Sequence, residues 1–237
     1  MSGHSHWAGI KHKKSIEDAK RAKVFTKLAK PITMAAREGG GNPESNFKLR
    51  MAIEKARAFN MPKNNIEKAI KRGTGKLKGA DLKEITYEAV GPGGIMMIIK
   101  ATTDNRNRAV SEIKSILAKA GGKMSEVGSV MWNFEQAGVI YVENIKKDST
   151  EIELLAIDAG ARDTKIEDET LNIFTDPKNL QTVQKNLIKK DINVSDSGLV
   201  YLPKNTLKIN ESTRLDYEKL LENLDEQSDV EEIYDNL

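Results

Sequence analysis

Near residue 80 the hydrophobic period of this chain changes from helical to alternating, so the two sides must pack as different kinds of layer. Upstream, apolar residues recur at three- and four-residue spacing. Phe25, Leu28, Ala29, Ile32 and Ala36 share one helical face, Leu49, Ile53 and Ala56 (with Phe59 at the edge) a second, and Ile66, Ala69 and Ile70 a third. Ser15 followed by Asp18 predicts a helix start, and the helix should run to about Glu38 with a kink at Pro31, which lacks a backbone donor. Gly39-Gly40-Gly41 ends it, Asn42 is expected to cap the next helix with Pro43 in its first position, and a third helix starts near Pro62. The segment Arg72-Gly-Thr-Gly-Lys76 lacks the first glycine, the trailing Ser or Thr and the preceding strand of a phosphate loop, so it is a helix end and linker.

Downstream, Ile85, Tyr87 and Ala89 alternate with Thr86 and Glu88, which predicts a half-buried strand. Gly91-Pro92-Gly93-Gly94 is a turn, Ile95–Ile99 a buried strand, and Asp104 or Asn105 caps a helix burying Val110, Ile113 and Leu117 until Gly121-Gly122 stops it. Strands are expected over 129–134 and 138–143, then a helix near 150–159, strands near 164–167 and 171–174, a helix over 177–190 and a strand over 192–202. From 138 onward this is the ferredoxin-like order β-α-β-β-α-β. A helix at 213–225 and a strand at 229–236 then return to the first sheet. The expected fold class is α+β with three lobes: an N-terminal three-helix domain (1–79), a discontinuous α/β sandwich (80–134 with 204–237), and a second, ferredoxin-like sandwich (135–203) inserted in it.

Charge follows the same boundary. Residues 1–79 hold 19 Lys or Arg against 6 Asp or Glu, and the remainder 19 against 29, so the formal +3 conceals a basic head on an acidic body. Such a split points to a polyanion-binding module. Residues 2–14 show no period and form a basic arm. Trp7 in it either stacks on a base or packs on the helices. His4, His6 and His12 also lie there, and without cysteine or a carboxylate before Glu17 they suit phosphate or solvent better than a metal. Lys20, Lys23, Lys27 and Lys30 gather on the helix face opposite the apolar one. The candidate nucleic-acid-binding residues are Lys11, Lys13, Lys14, Lys20, Lys23, Lys27, Lys30, Arg50, Arg57, Lys71 and Arg72. Arg106 and Arg108, in the first turn of a helix where the dipole disfavours cations, suggest an anion contact or a salt bridge to the next lobe, against the plain alternative of a helix cap.

Catalysis finds little to work with. The body contains no histidine and the chain no cysteine, which removes the commonest general base and the thiol nucleophile, and no metalloprotease, EF-hand or nucleophile-elbow motif occurs. No catalytic residue, cofactor or metal is expected. No run approaches a membrane span and no hydrophobic leader is present, so a cytoplasmic, membrane-free monomer is expected, with a protein partner for the acidic lobes.

Several linked motifs resemble the YebC family, bacterial proteins related to a mitochondrial translational activator. They are Ala-Lys-Arg-Ala-Lys-Val-Phe-Thr-Lys at 19–27, Gly39-Gly-Gly-Asn-Pro43, Tyr87-Glu-Ala-Val-Gly-Pro-Gly-Gly94, Thr103-Asp-Asn-Arg-Asn-Arg108, Gly128-Ser-Val130 and Leu202-Pro-Lys-Asn-Thr206. The resemblance runs nearly end to end and implies three lobes, the third inserted in the second, with no enzymatic activity. Pro31 departs from the uninterrupted helix it leads one to expect. The resemblance also implies a nucleic-acid-binding regulator of gene expression. Members are commonly described as DNA-binding transcriptional regulators, whereas others act in translation, on ribosomes stalled at proline-rich nascent chains, where ribosomal or transfer RNA would be the ligand. The residues themselves lean towards RNA, because lysine faces position phosphate without reading bases. A protein-interaction scaffold with an incidental basic head is the remaining alternative.

Overall fold

The computed structural model describes residues 18–143, 150–167 and 169–237, with side-chain surroundings from Arg21 onward. Seven helices and two four-stranded sheets occur among them. The basic arm, with Lys11, Lys13, Lys14, the three histidines, Trp7 and the Ser15 cap, lies outside the described residues. So does the side chain of Lys20.

The head consists of α1 (Asp18–Gly39), α2 (Phe47–Ala58) and α3 (Lys63–Gly73). Its core is the predicted one: Leu28, Ile32 and Ala36 meet Leu49, Ile53, Ala56, Ile66 and Ala69, joined by Ala35 and Met61. Pro31 lies inside α1, which continues through it as one helix. Two expectations need correction at the α1–α2 turn. The second helix begins at Phe47, and its cap is Asn46, whose side chain accepts from Leu49 N–H at 3.1 Å and donates to Ala35 O and Gly40 O. Asn42 instead folds its carboxamide back onto Glu44 N–H in a tight turn, because Pro43 and the buried Asn46 place the helix start four residues later. Gly73 is required where α3 closes on α1: a Cβ there would sit 2.3 Å from Thr33 O.

The second domain is built on the sheet β3-β1-β2-β8, where β1 is Lys83–Val90, β2 Met96–Thr103, β3 Lys123–Met124 and β8 Val230–Asp235. β1 and β2 form an antiparallel hairpin with Tyr87 opposite Ile99, and β8 pairs antiparallel with the other edge of β2. α4 (Arg106–Lys119) and α7 (Glu211–Glu226) cover one face, burying Ile113, Leu117, Leu220 and Leu224 against Ala89, Met97 and Ile233. α4 is capped by Asn105, whose side chain accepts from Arg108 N–H. A short turn at Gly91–Gly94 joins the hairpin.

A compact unit of its own, Glu135–Leu202, interrupts this domain. β4 (Phe134–Glu143), α5 (Thr150–Ala159), β5 (Asp163–Glu167), β6 (Thr170–Thr175), α6 (Leu180–Lys189) and β7 (Asp196–Pro203) form a sheet of order β5-β6-β4-β7, the ferredoxin-like arrangement. Ala156, Leu180, Val183 and Leu187 close over Ile140, Leu171 and Ile173. Where the chain leaves and re-enters the second domain, the Asn133 carboxamide bonds Asn205 through both its atoms, and Lys204 N–H donates to Asn133 O at 2.7 Å.

The strand expected over 129–134 is absent; Met131–Asn133 is a single 3₁₀ turn. The reason is Glu88. Alternation placed its side chain on the solvent side of β1, but it is buried, and its carboxylate accepts from Gly128, Val130 and Met131 N–H at 2.5, 2.6 and 2.8 Å. Burial alone would raise this carboxyl; the three backbone donors outweigh it and hold the group below its usual range.

Candidate nucleic-acid interface

The charges of α1 divide between two surroundings. Lys23 is exposed, as the wheel suggested. Lys27 is buried and Lys30 half-buried, contrary to expectation. The Lys27 amine bonds Asp225 through its backbone oxygen and, at 3.2 Å, its carboxylate. The Lys30 amine donates to Thr102 O at 2.7 Å, Ser228 O at 2.9 Å and Asp229 Oδ1 at 2.6 Å. Arg37 continues the face with Asp81 and Leu82 O, and Lys55 of α2 reaches Glu232 at 3.6 Å. A helical wheel identifies this face but not what covers it, and the covering carboxylates lie about two hundred residues further along the chain. Buried ammonium groups survive here because each meets an acid and carbonyls. Burial lowers the Lys27 amine, with Asp225 opposing the shift.

Asp229 is the centre of this seam. Besides Lys30 it receives Thr103 Oγ1 at 2.9 Å and Arg108 at 3.0 Å. Burial would raise its carboxyl, but these donors hold it below the ordinary range. Arg108 also pairs with Asp104 at 2.9 Å, so both of its salt bridges lie within its own domain rather than reaching the next lobe, and Arg106 remains exposed. Beside Asp229, the two neighbouring acids of β8 diverge. Burial and the adjacent Glu232 push Glu231 up to about 7, while Lys100 and Lys55 overcome the burial of Glu232 and draw it down to about 2.

What stays available lies on the other side of α1. A groove of about 700 Å³ is lined by Ala22, Phe25, Thr26, Ala29 and Thr33 of α1, by Asn65, Lys68 and Arg72 of α3, and by Lys78, Gly79, Ala80 and Leu82 of the linker. Lys68 and Arg72 stand one helical turn apart, about 6 Å along the axis. Gly79 brings the linker onto the Arg72 stem, where an added Cβ would lie 3.3 Å from Cγ. Lys68, Arg72 and Lys78 are exposed and meet no carboxylate among the described residues. Of the other candidates, Arg57 and Lys71 are exposed on the head, and half-buried Arg50 stacks on the Phe47 ring at 5.3 Å. Lys68 could be seen as exposed from its helix position, and its i, i+4 spacing to Arg72 marks a shared face. Lys78 and Phe25 carried no such mark, since the linker path depends on the docked second domain.

No group of three or more potential metal ligands occurs among the described residues, and no helix among them is long and apolar enough to cross a membrane.

Two family models cover this architecture: the TACO1/YebC protein N-terminal domain matches residues 5–76, and the TACO1/YebC second and third domain matches residues 82–237. The chain belongs to the TACO1/YebC family. The full chain is 48% identical to a "Probable transcriptional regulatory protein" of Thermoanaerobacter pseudethanolicus, covering 97% of it, and 49% identical to one so named from Thermotoga maritima, covering 93%. A crystal structure of a conserved hypothetical protein from Aquifex aeolicus matches with a TM-score of 0.88 at 42% identity, over 98% of this chain and 96% of that one. The names of the Thermoanaerobacter and Thermotoga relatives describe regulators.

Proposed function

We propose that this family member is a nucleic-acid-binding regulator of gene expression that grips a phosphate backbone with its helical head. The observation that carries this reading is the separation of the head's cations. One set is neutralised inside the molecule by Asp225, Asp229 and Glu232, while Lys23, Arg57, Lys68, Lys71, Arg72 and Lys78 remain exposed. Exposed cations on one small helical domain, three of them (Lys68, Arg72 and Lys78) lining a groove, favour a polyanionic ligand.

The relatives' names favour a transcriptional role, for which DNA would be the ligand. A second reading, RNA binding in translation on the ribosome, is favoured by the composition of the exposed set. It is dominated by lysine, which holds phosphates without the bidentate base contacts that sequence-specific DNA reading uses. Ultraviolet crosslinking in cells, followed by sequencing of the attached nucleic acid, separates them. Discrete chromosomal sites support transcription, ribosomal or transfer RNA supports translation, and recovery of neither overturns nucleic-acid binding.

A further inference from the structure

The groove between α1 and α3 has more structure than phosphate gripping requires. Its floor is apolar, made by Phe25, Ala29 and Met61, while its rim carries Lys68, Arg72 and Lys78. Between them, the Asn65 carboxamide has no partner among the described residues and offers both a donor and an acceptor. A volume near 700 Å³ lies in the range of small-ligand sites. A duplex presents only sugar and phosphate to such a concavity, since its bases are stacked inside, and would leave the apolar floor unused. An apolar peptide would cover the floor but leave the cations unpaired. An unpaired nucleotide satisfies both: its base has apolar faces and polar edges, and its phosphates carry the negative charge.

We infer that the groove holds one or two unpaired nucleotides of a single strand, with a base on the floor against Phe25, an edge at Asn65 and phosphates at Lys68, Arg72 and Lys78. This rests on the nucleic-acid reading above and narrows it. Lys30 also borders the groove, but its amine is held by Asp229 and two carbonyls, so it contributes shape rather than charge. Gly73 sets the close approach of α3 to α1 at Thr33, one of the groove's lining residues.

The test is fluorescence anisotropy on the full chain with a labelled ten-nucleotide RNA, the equivalent single-stranded DNA, and a blunt duplex of the same sequence. Single strands should bind at least about tenfold more tightly than the duplex, because only they can offer a base for stacking. Thr26 is exposed and, among the described residues, its hydroxyl bonds only its own helix at Ala22 O, so Thr26→Glu should keep the melting temperature. It should nevertheless weaken single-strand binding at least about tenfold. Phe25→Leu, which keeps apolar packing and removes the ring, should weaken single strands roughly fivefold and leave the duplex unchanged. Equal or tighter duplex binding, or single-strand binding indifferent to both substitutions, overturns the groove assignment while nucleic-acid binding stands. Failure of all three probes to bind at low salt overturns the wider reading with it.

Discussion

Glu88 shows how one side chain can decide the shape of a remote loop. A carboxylate accepting three backbone N–H groups fixes residues 128–131, and Trp132, 57% exposed, leaves this loop with its indole N–H on Ser129 O. Glu88→Gln replaces an acceptor oxygen by a donor facing backbone donors, so we expect a loss of about 1–3 kcal/mol in urea denaturation. A change within about 0.5 kcal/mol would show that the loop holds itself. The acids of β8 make the second residue-level prediction. Glu232, low in the folded state, contributes stability that is complete above its ordinary 4.5 and disappears as pH falls towards 2. Glu231, raised in the folded state, keeps a proton that the unfolded chain has released between 4.5 and 7, so its effect is a loss of stability as pH rises through that window. Glu231→Gln should flatten the decline between pH 4.5 and 7 and raise stability at pH 8 by roughly 3 kcal/mol at most. An unaltered pH profile would contradict the assignment.

At the scale of elements, α1 is a helix with three occupied sides: the head core, the seam to β8 and α7, and the groove. The first was legible in the sequence because burial inside a small helical domain repeats locally, and Leu28, Ile32 and Ala36 follow the period. The second was not, because Lys27 and Lys30 satisfy a basic stripe equally well whether they face water or a distant carboxylate. The Glu88 side of β1 was misread for a related reason: alternation assigns faces but not what covers them, here a loop that itself resembled a strand. Two substitutions test the element packing. Asp229→Ala leaves Lys30 and Arg108 facing a buried gap and should cost 3 kcal/mol or more, on the order of a broken buried pair. Gly73→Ala must move α3 away from Thr33 O, so a destabilisation of about 2 kcal/mol, together with altered binding at the groove, is expected in thermal melts and titrations. Wild-type behaviour would show that the contact yields.

For the whole molecule, the inserted unit was the most legible part, because its two α/β repeats carry their own period and the leftover helix and strand had nowhere else to pair. Its site of insertion explains why it is tolerated. Asn133 and Asn205 hold the two crossings together within the host domain. Replacing residues 135–202 by a short Gly-Ser linker should therefore leave a cooperative melt of the remaining unit by circular dichroism, and a broad, non-cooperative transition would show the insert to be needed for folding. The groove cations also act on this scale: removing Lys68, Arg72 and Lys78 together should reduce the salt slope of single-strand binding by about 2.

The order of the chain adds a temporal side to the Asp229 seam. The acids that hold Lys27, Lys30 and Lys55 lie at residues 225–232, after the insertion, as does the strand that completes the outer edge of β2. During synthesis from the N-terminus, the head and the first hairpin therefore emerge with those lysines uncovered and one sheet edge open. The inserted unit, complete in itself, can fold before its host does. A nascent chain at that stage is more cationic at its head than the finished protein, and its closing step is the arrival of α7 and β8.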